Sequence, residues 1–261
     1  MTVLPDVTVL IPARFDSTGR VRNLKVVLRY LLHHFRVRVL LGEEGERPRA
    51  GDFLPEFQGR LEHVFLEARS EHFHKTRCLN ALARMARTDL VLTHDTDVLL
   101  PPGKYLAARD LAARGCHMVL PFGGRCLNVE EPEIALIHAT LSLDGLSEEN
   151  CPLRHPDVYG GAAFLRREAY FEAGLENERM YGWGCEDDER VRRLSILGCR
   201  IARIPGPIFH LAHPRPPGLI GPESPRHQAN LAELRRIEAL TPEQLRAEVA
   251  GWAWAKGNSF L

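Results

Sequence analysis

The sequence runs to 261 residues, enough to bury one α/β core, and its 34 basic and 34 acidic side chains cancel, so no net field favours nucleic acid or an anionic membrane. Apolar residues make up 44% and charged residues 26%, globular proportions that exclude a long disordered region. Six scattered cysteines without a CxxC pair, and no apolar h-region at the start, give no support to a secreted disulfide scaffold, so reduced thiols in a cytoplasmic protein are expected. No apolar run approaches the ~20 residues of a membrane span, and membrane contact is expected to be peripheral at most.

Val7 to Ile11 is β-branched and apolar, stops at Pro12 and precedes a polar loop through Gly19, as a buried parallel first strand does. A helix over Val21 to Phe35 and a second strand over Val37 to Leu41 follow. Beyond a Gly/Glu/Pro-rich loop, Glu62 to Leu66 reads as a short strand. Lys75 to Ala86 reads as a helix with Leu79, Leu82, Ala83 and Ala86 on one face. Leu90 to Thr93 then runs into His94-Asp95-Thr96-Asp97.

The second half is less regular. It offers a strand at Met118 to Leu120, a segment around Ile134 to Leu143, a helix from Arg167, a further helix ending at Leu197, and closing strands at Ile201 to Ile204 and Ile208 to His210. Residues 214–226 hold five prolines and two glycines, which predicts an irregular linker, and Gln228 to about Trp254 is helical in pattern. Strand-helix-strand alternation predicts a mostly parallel sheet with its ligand crevice beyond the carboxyl ends of the strands, where Pro12, Arg14, Asp95 and Asp97 all fall.

Asp95-x-Asp97 after an apolar strand puts two carboxylates where a divalent cation can bridge them to a diphosphate, although an isolated Asp-x-Asp is more often a turn. His210-x-x-His213 can aim two imidazoles at one ion or be two unrelated surface residues. In Gly182-Trp183-Gly184-Cys185-Glu186-Asp187-Asp188-Glu189 the acids suit a helix start in any protein, but the Gly-Trp-Gly ahead of them is wasteful unless the loop has a job. His33-His34 reads as helix surface, and Cys126, Cys151 and His155 have no spacing that points to a nucleophile or a zinc site.

Tyr159-Gly160-Gly161, Gly182 to Asp188 and His210-x-x-His213 together resemble the carboxy-terminal catalytic part of the β-1,4-galactosyltransferase family. The Gly-Trp-Gly-x-Glu-Asp pattern also resembles bacterial chondroitin-polymerase-type glycosyltransferases. Upstream, Pro12-Ala13-Arg14 and the segment Phe73 to Asn80 are similar to that family's Pro-x-Arg and Phe-x-Arg-x-Lys-x-Leu-Asn, so the likeness spans roughly residues 7–215.

The resemblance implies a GT-A fold, an α/β Rossmann-like nucleotide-diphospho-sugar transferase fold with a mostly parallel central sheet. It implies one domain over 1–215, a nucleotide-binding half at about 1–100 and an acceptor-binding half at about 101–215, then a linker and helical tail over 216–261. By residue, Pro12, Arg14, Phe73 and Lys75 would hold a UDP-sugar, with Asp95, Gly161 and Trp183. Asp97 and His213, with His210 where the family has a methionine, would hold Mn²⁺ or Mg²⁺. Asp187 would be the base, and Tyr159, Glu186, Asp188 and Trp183 would face an acceptor on a glycan, a lipid-linked carrier or a glycosylated small molecule.

Cys185 replaces a family glycine, Asp16 stands where a further basic residue is usual, and Val158 where an aromatic is. The expected activity is metal-dependent inverting transfer of a hexose or N-acetylhexosamine. The competing readings are a nucleotide-sugar-forming nucleotidyltransferase, which needs a glycine-rich phosphate loop where Arg14 to Val21 offers only Gly19, and a catalytically inactive glycan-binding relative.

Overall fold

A computed structural model describes residues 1–214 and 221–256. β1 (Thr2–Ala13), α1 (Thr18–His34), β2 (Phe35–Gly45), β3 (Glu62–Glu67), α2 (Lys75–Met85) and β4 (Leu90–His94) build the first half. β1 outruns the expected Val7 to Ile11 at both ends, because Thr2 and Val3 also pair with β2 before the register shifts around Pro5. α1 starts at Thr18, where the Ser17 hydroxyl accepts from the Arg20 amide, and Phe35 opens the next strand instead of closing the helix.

The second half contains β5 (Val98–Leu99), α3 (Pro102–Ala113), β6 (Met118–Leu120), β7 (Cys126–Val129), α4 (Glu133–Thr140), β8 (Leu153–His155), β9 (Ala162–Arg166), α5 (Arg167–Glu172), α6 (Glu186–Ile196), β10 (Ile201–Arg203) and β11 (Ile208–Leu211). α7 (Pro225–Glu238) and α8 (Pro242–Gly251) form the tail.

Seven strands make the main sheet in the order β10-β6-β9-β4-β1-β2-β3. All its pairings are parallel except those of β9, which runs antiparallel to β4 and β6. Leu10, Ile11, Leu40, Leu41, Val91 and Phe164 from its central strands are fully buried, which accounts for the near-continuous apolar runs in those strands.

The strand at Ile208 does not close that sheet. β11 pairs with β5 and β7 in a separate four-stranded sheet, order β5-β11-β7-β8, so His210 on it and His213 just after it rise beside the end of β4 instead of at the far edge. All six cysteines are unpaired thiols. Among the described residues no helix is long and apolar enough to cross a membrane.

The tail departs from expectation in two ways. Part of the proline-rich stretch, 215–220, lies outside the described residues, but Pro225 and Arg226 already belong to α7, because proline is well suited to a first helical turn. The expected single helix is two, divided by a Thr241–Gln244 capping box. Ile237, Leu245, Val249 and Trp252 form a small core against Ile196 and Leu197 at the end of α6.

Trp252 is 2% exposed and lies under the buried Arg193 guanidinium, 5.2 Å from the ring centroid. Trp252→Ala should therefore lower unfolding stability by about 3 kcal/mol in urea titration. An unchanged midpoint would mean that the tail contributes nothing to the fold.

Candidate active site

Every residue given a catalytic, ligand-binding or metal-binding role from the sequence lines one cleft of about 660 Å³. Pro12 and Arg14 reach it from the end of β1, Asp95 and Asp97 from the end of β4, Phe73 and Lys75 from the start of α2, and Glu186, Asp187 and Asp188 from the first turn of α6. The cleft thus lies where an open α/β sheet places its ligand. His210 comes from β11, His213 follows it, and Tyr159, Gly161 and Trp183 come from two glycine-containing loops.

Asp97, His210 and His213 offer ligand atoms that all lie within 4.8 Å of one another. The Nε2 atoms of His213 and His210 stand 3.0 and 3.7 Å from Asp97 Oδ2. The other ring nitrogens fix the tautomers. His213 Nδ1 is 2.9 Å from the Pro214 carbonyl, which can only accept, so it carries a hydrogen. Asn128 Nδ2 donates to Glu130, which leaves Asn128 Oδ1 to accept from His210 Nδ1 at 3.2 Å.

Both Nε2 atoms therefore face the Asp97 carboxylate, where a proton or a cation can bridge them. Burial holds the His210 pKa down at about 4, keeping a neutral imidazole. Burial raises the Asp97 pKa, but the His213 hydrogen bond and the neighbouring His210 and Arg20 outweigh it and hold the carboxyl at about 2. One carboxylate with two oriented imidazoles fits a borderline transition ion. Magnesium, which prefers oxygen ligands alone, fits it less well.

Across the cleft, the Lys75 ammonium lies 3.0 Å from Asp95, 3.1 Å from Asp187 and 3.4 Å from Glu186. Burial alone would lower its pKa, but Asp187, Asp95 and Glu186 overcome that and raise it well above the ordinary lysine value. Burial pushes Asp95 up to about 6 and Glu186 up to about 7. Burial also acts on Asp187, yet Lys75 and Arg190 prevail and hold it at about 2. Asp188 is raised by burial and by the Asp187 charge.

Gly160 and Gly161 permit this approach. A Cβ on Gly160 would sit 2.5 Å from Asp187 Oδ2, and one on Gly161, which has φ +110, would meet Ile208 at 2.7 Å. The Gly161 carbonyl accepts from the Asp95 amide at 2.8 Å, tying this loop to the end of β4. Beside it the Arg203 guanidinium covers the Tyr159 ring at 4.3 Å and donates to the Val158 carbonyl at 3.3 Å. Asp16 pairs with Arg20 at 3.2 Å on the cleft wall.

The sequence reading set aside two residues that line the cleft. Cys126 and His155 are cross-strand partners in β7 and β8, a pairing that no local motif announces. Burial pushes the Cys126 thiol up to about 11, so it is no nucleophile. His34 Nε2 donates to the Leu141 carbonyl at 2.9 Å, and Cys151 is buried away from the cleft.

Arg190 was also missed. It is 2% exposed, donates to Asp187 Oδ1 at 2.6 Å and to Glu176 at 2.8 Å, and Glu176 accepts in turn from the Tyr170 hydroxyl at 2.6 Å. Its spacing of three from Asp187 on a helix was the available signal.

The chain is similar to known proteins over part of its length. Residues 143–214 match a family model described as the N-terminal domain of galactosyltransferase. Over 174 residues the chain is 32% identical to beta-1,4-galactosyltransferase 3 of Homo sapiens, covering 65% of this chain and 38% of that protein. The rat protein of the same name matches with the same identity and coverage. The chain thus spans well under half the length of these curated relatives.

Among solved structures it is similar to GalNAc-T7 with UDP, GalNAc and Mn²⁺, at TM-score 0.60 and 14% identity over 89% of this chain and 48% of that one. S. aureus TarS 1–349 in complex with UDP-GlcNAc aligns at TM-score 0.59 and 10% identity, covering 94% and 71%. Glucosyl-3-phosphoglycerate synthase from Mycobacterium tuberculosis, with Mn²⁺, UDP and phosphoglyceric acid, aligns at 0.56 and 16%, covering 88% and 78%.

The chain thus has the fold of these GT-A glycosyltransferase structures. Within that type its sequence is galactosyltransferase-like.

Mn²⁺ titrated into the protein should report one site that His213→Ala abolishes. Asn128→Ala, which frees the His210 ring without removing a ligand, should weaken it by about 10–100-fold. Equal Mn²⁺ affinity in all three proteins would dismiss the cluster as a metal site.

Proposed function

We propose that the protein transfers a hexose or N-acetylhexosamine from a UDP-sugar to a glycan hydroxyl with inversion at the anomeric carbon, using Mn²⁺. The observation that carries this reading is the pairing, in one cleft, of the Asp97, His210 and His213 cluster with the Asp187 carboxylate held by Lys75 and Arg190. The UDP ligands and Mn²⁺ named for the solved structures of like fold support the donor class. The acceptor class, which extends to lipid-linked or glycosylated small molecules, rests on the sequence resemblance. A cytoplasmic setting is part of the same proposal.

In this reading Arg14 and Phe73 hold the nucleotide end, and Asp97, His210 and His213 hold the ion. When bound, the ion supplies positive charge to the departing diphosphate. The acceptor oxygen attacks the anomeric carbon as the bond from that carbon to the phosphate oxygen breaks. Asp187 takes the acceptor proton, UDP leaves, and no covalent enzyme intermediate forms.

A carboxyl held at about 2 is always ionised at working pH but is a weak base. The diphosphate addresses this, since it competes with Asp95, Glu186 and Asp187 for the Lys75 ammonium. As Lys75 turns to phosphate, Asp187 keeps Arg190 but loses its other cation, and its proton affinity rises toward the ordinary carboxylate value. In the same reading Glu186 and Asp188, which flank the base, hold acceptor hydroxyls.

With a panel of UDP-sugars and glycan acceptors, UDP release measures turnover. Asp187→Asn should lower kcat by about 10²–10⁴-fold and leave UDP affinity in Mn²⁺ within about twofold. Full activity in Asp187→Asn would remove the base assignment. Pyrophosphate release from UTP and a sugar phosphate would transfer the site to nucleotide-sugar synthesis, and sugar binding without turnover would make it a binding module.

A further inference from the structure

The loop Tyr181 to Cys185 lies between two supports, of which only one belongs to the sheet domain. On one side the Gly182 amide donates to the Phe73 carbonyl at 2.8 Å, and the Tyr181 ring stacks on His74 with centroids 5.1 Å apart. The other side rests on α7, beyond the residues that the galactosyltransferase model matches. Asn230 is 1% exposed, and its amide donates to both the Tyr181 and the Gly184 carbonyls, at 3.0 and 2.9 Å. Its Oδ1 is fixed in turn by Arg226, which donates at 2.8 and 3.1 Å and covers the Tyr181 ring at 4.0 Å.

The next residue of α7 is part of the cleft wall. His227 stacks on Trp183 with centroids 5.2 Å apart and 30° between the planes. The fit is close enough to dictate sequence, since a Cβ on Gly184 would lie 2.5 Å from His227 Nδ1 and one on Gly182 would lie 2.9 Å from the Arg226 side chain. The two glycines around Trp183 are therefore explained by α7 as much as by loop mobility.

α7 is itself anchored. Asn177, outside it, donates to Glu233 at 2.8 Å, and Ile237 is fully buried in the tail core.

We propose that α7 completes the site, with Asn230 as a positioning residue that fixes the backbone on both sides of Trp183 and His227 as a binding residue that backs the indole against the sugar. This rests on the reading of the cleft as a sugar-transfer site. It makes the tail a determinant of sugar recognition. The nucleotide end, built from β1, α2 and the Asp97 cluster, does not depend on it.

The test uses the 261-residue chain, with hydrogen exchange of the peptide spanning 181–185 followed by mass spectrometry, UDP affinity in Mn²⁺, and kinetics on a turned-over UDP-sugar. Loss of two hydrogen bonds in Asn230→Ala should speed exchange in that peptide about tenfold and raise the sugar KM by a similar factor, with UDP affinity within about twofold. His227→Ala should raise the sugar KM without changing UDP affinity.

Unchanged exchange and KM in both variants would overturn the proposal, as would faster exchange spread evenly over the chain. If Asn230→Ala does not fold, His227→Ala decides the question through KM and through exchange at 181–185. If the wild-type protein neither binds UDP nor turns over any sugar, the catalytic reading fails, while a local exchange change in Asn230→Ala still upholds the latch and an unchanged one removes it.

Discussion

One lysine ammonium organises this molecule's cleft. Lys75, at the first turn of α2, touches a carboxylate from the end of β4 and two from the start of α6, and so cross-links three elements that are distant in sequence. Three buried acids around one base would cost far more desolvation than a single cation returns. The arrangement stands because Arg190 supplies a second cation to Asp187 and because burial leaves Glu186 with a proton affinity near neutrality. The positive end of the α6 helix also favours the acids of its first turn. The remaining negative excess is what a cation-dependent site for a diphosphate would require on its walls.

Around that centre the packing is economical. Gly160 and Gly161 have no side chains because Asp187 and Ile208 occupy the space, and β11 leaves the main sheet so that its histidines can meet Asp97. The back of α6 is held as firmly as its front. Glu189 and Arg193 form a fully buried pair, and Arg193 also donates to the Leu175 carbonyl at 2.7 Å, so the helix that carries the acids has little freedom to rotate.

The first half of the fold was legible because β4 and the second half of β1 are buried on both faces and read as apolar runs, and because Lys75 to Met85 shows helical spacing. The candidate site was legible where function needs unusual residues in short order, as in Asp95-x-Asp97 and Gly182 to Asp188. What escaped was set by tertiary pairing. β7 and β8 are short, and their partnership puts Cys126 and His155 on the cleft wall without any local pattern. Residues 214–226 read as a linker because prolines break helices in their interior, yet Pro225 sits in a first turn, where it does no harm. Asn230 carries no local sequence signal, and only its two backbone partners distinguish it from the other polar residues of α7.

The central claim is that the two halves of the cleft act together on a nucleotide diphosphate bridged by a metal ion. Calorimetric titration of UDP with and without Mn²⁺, repeated on Asp97→Ala, tests it most directly. The account predicts tight binding only with Mn²⁺ and its loss in the variant. UDP binding that is indifferent to Mn²⁺ and to Asp97, or no binding at all, would contradict it.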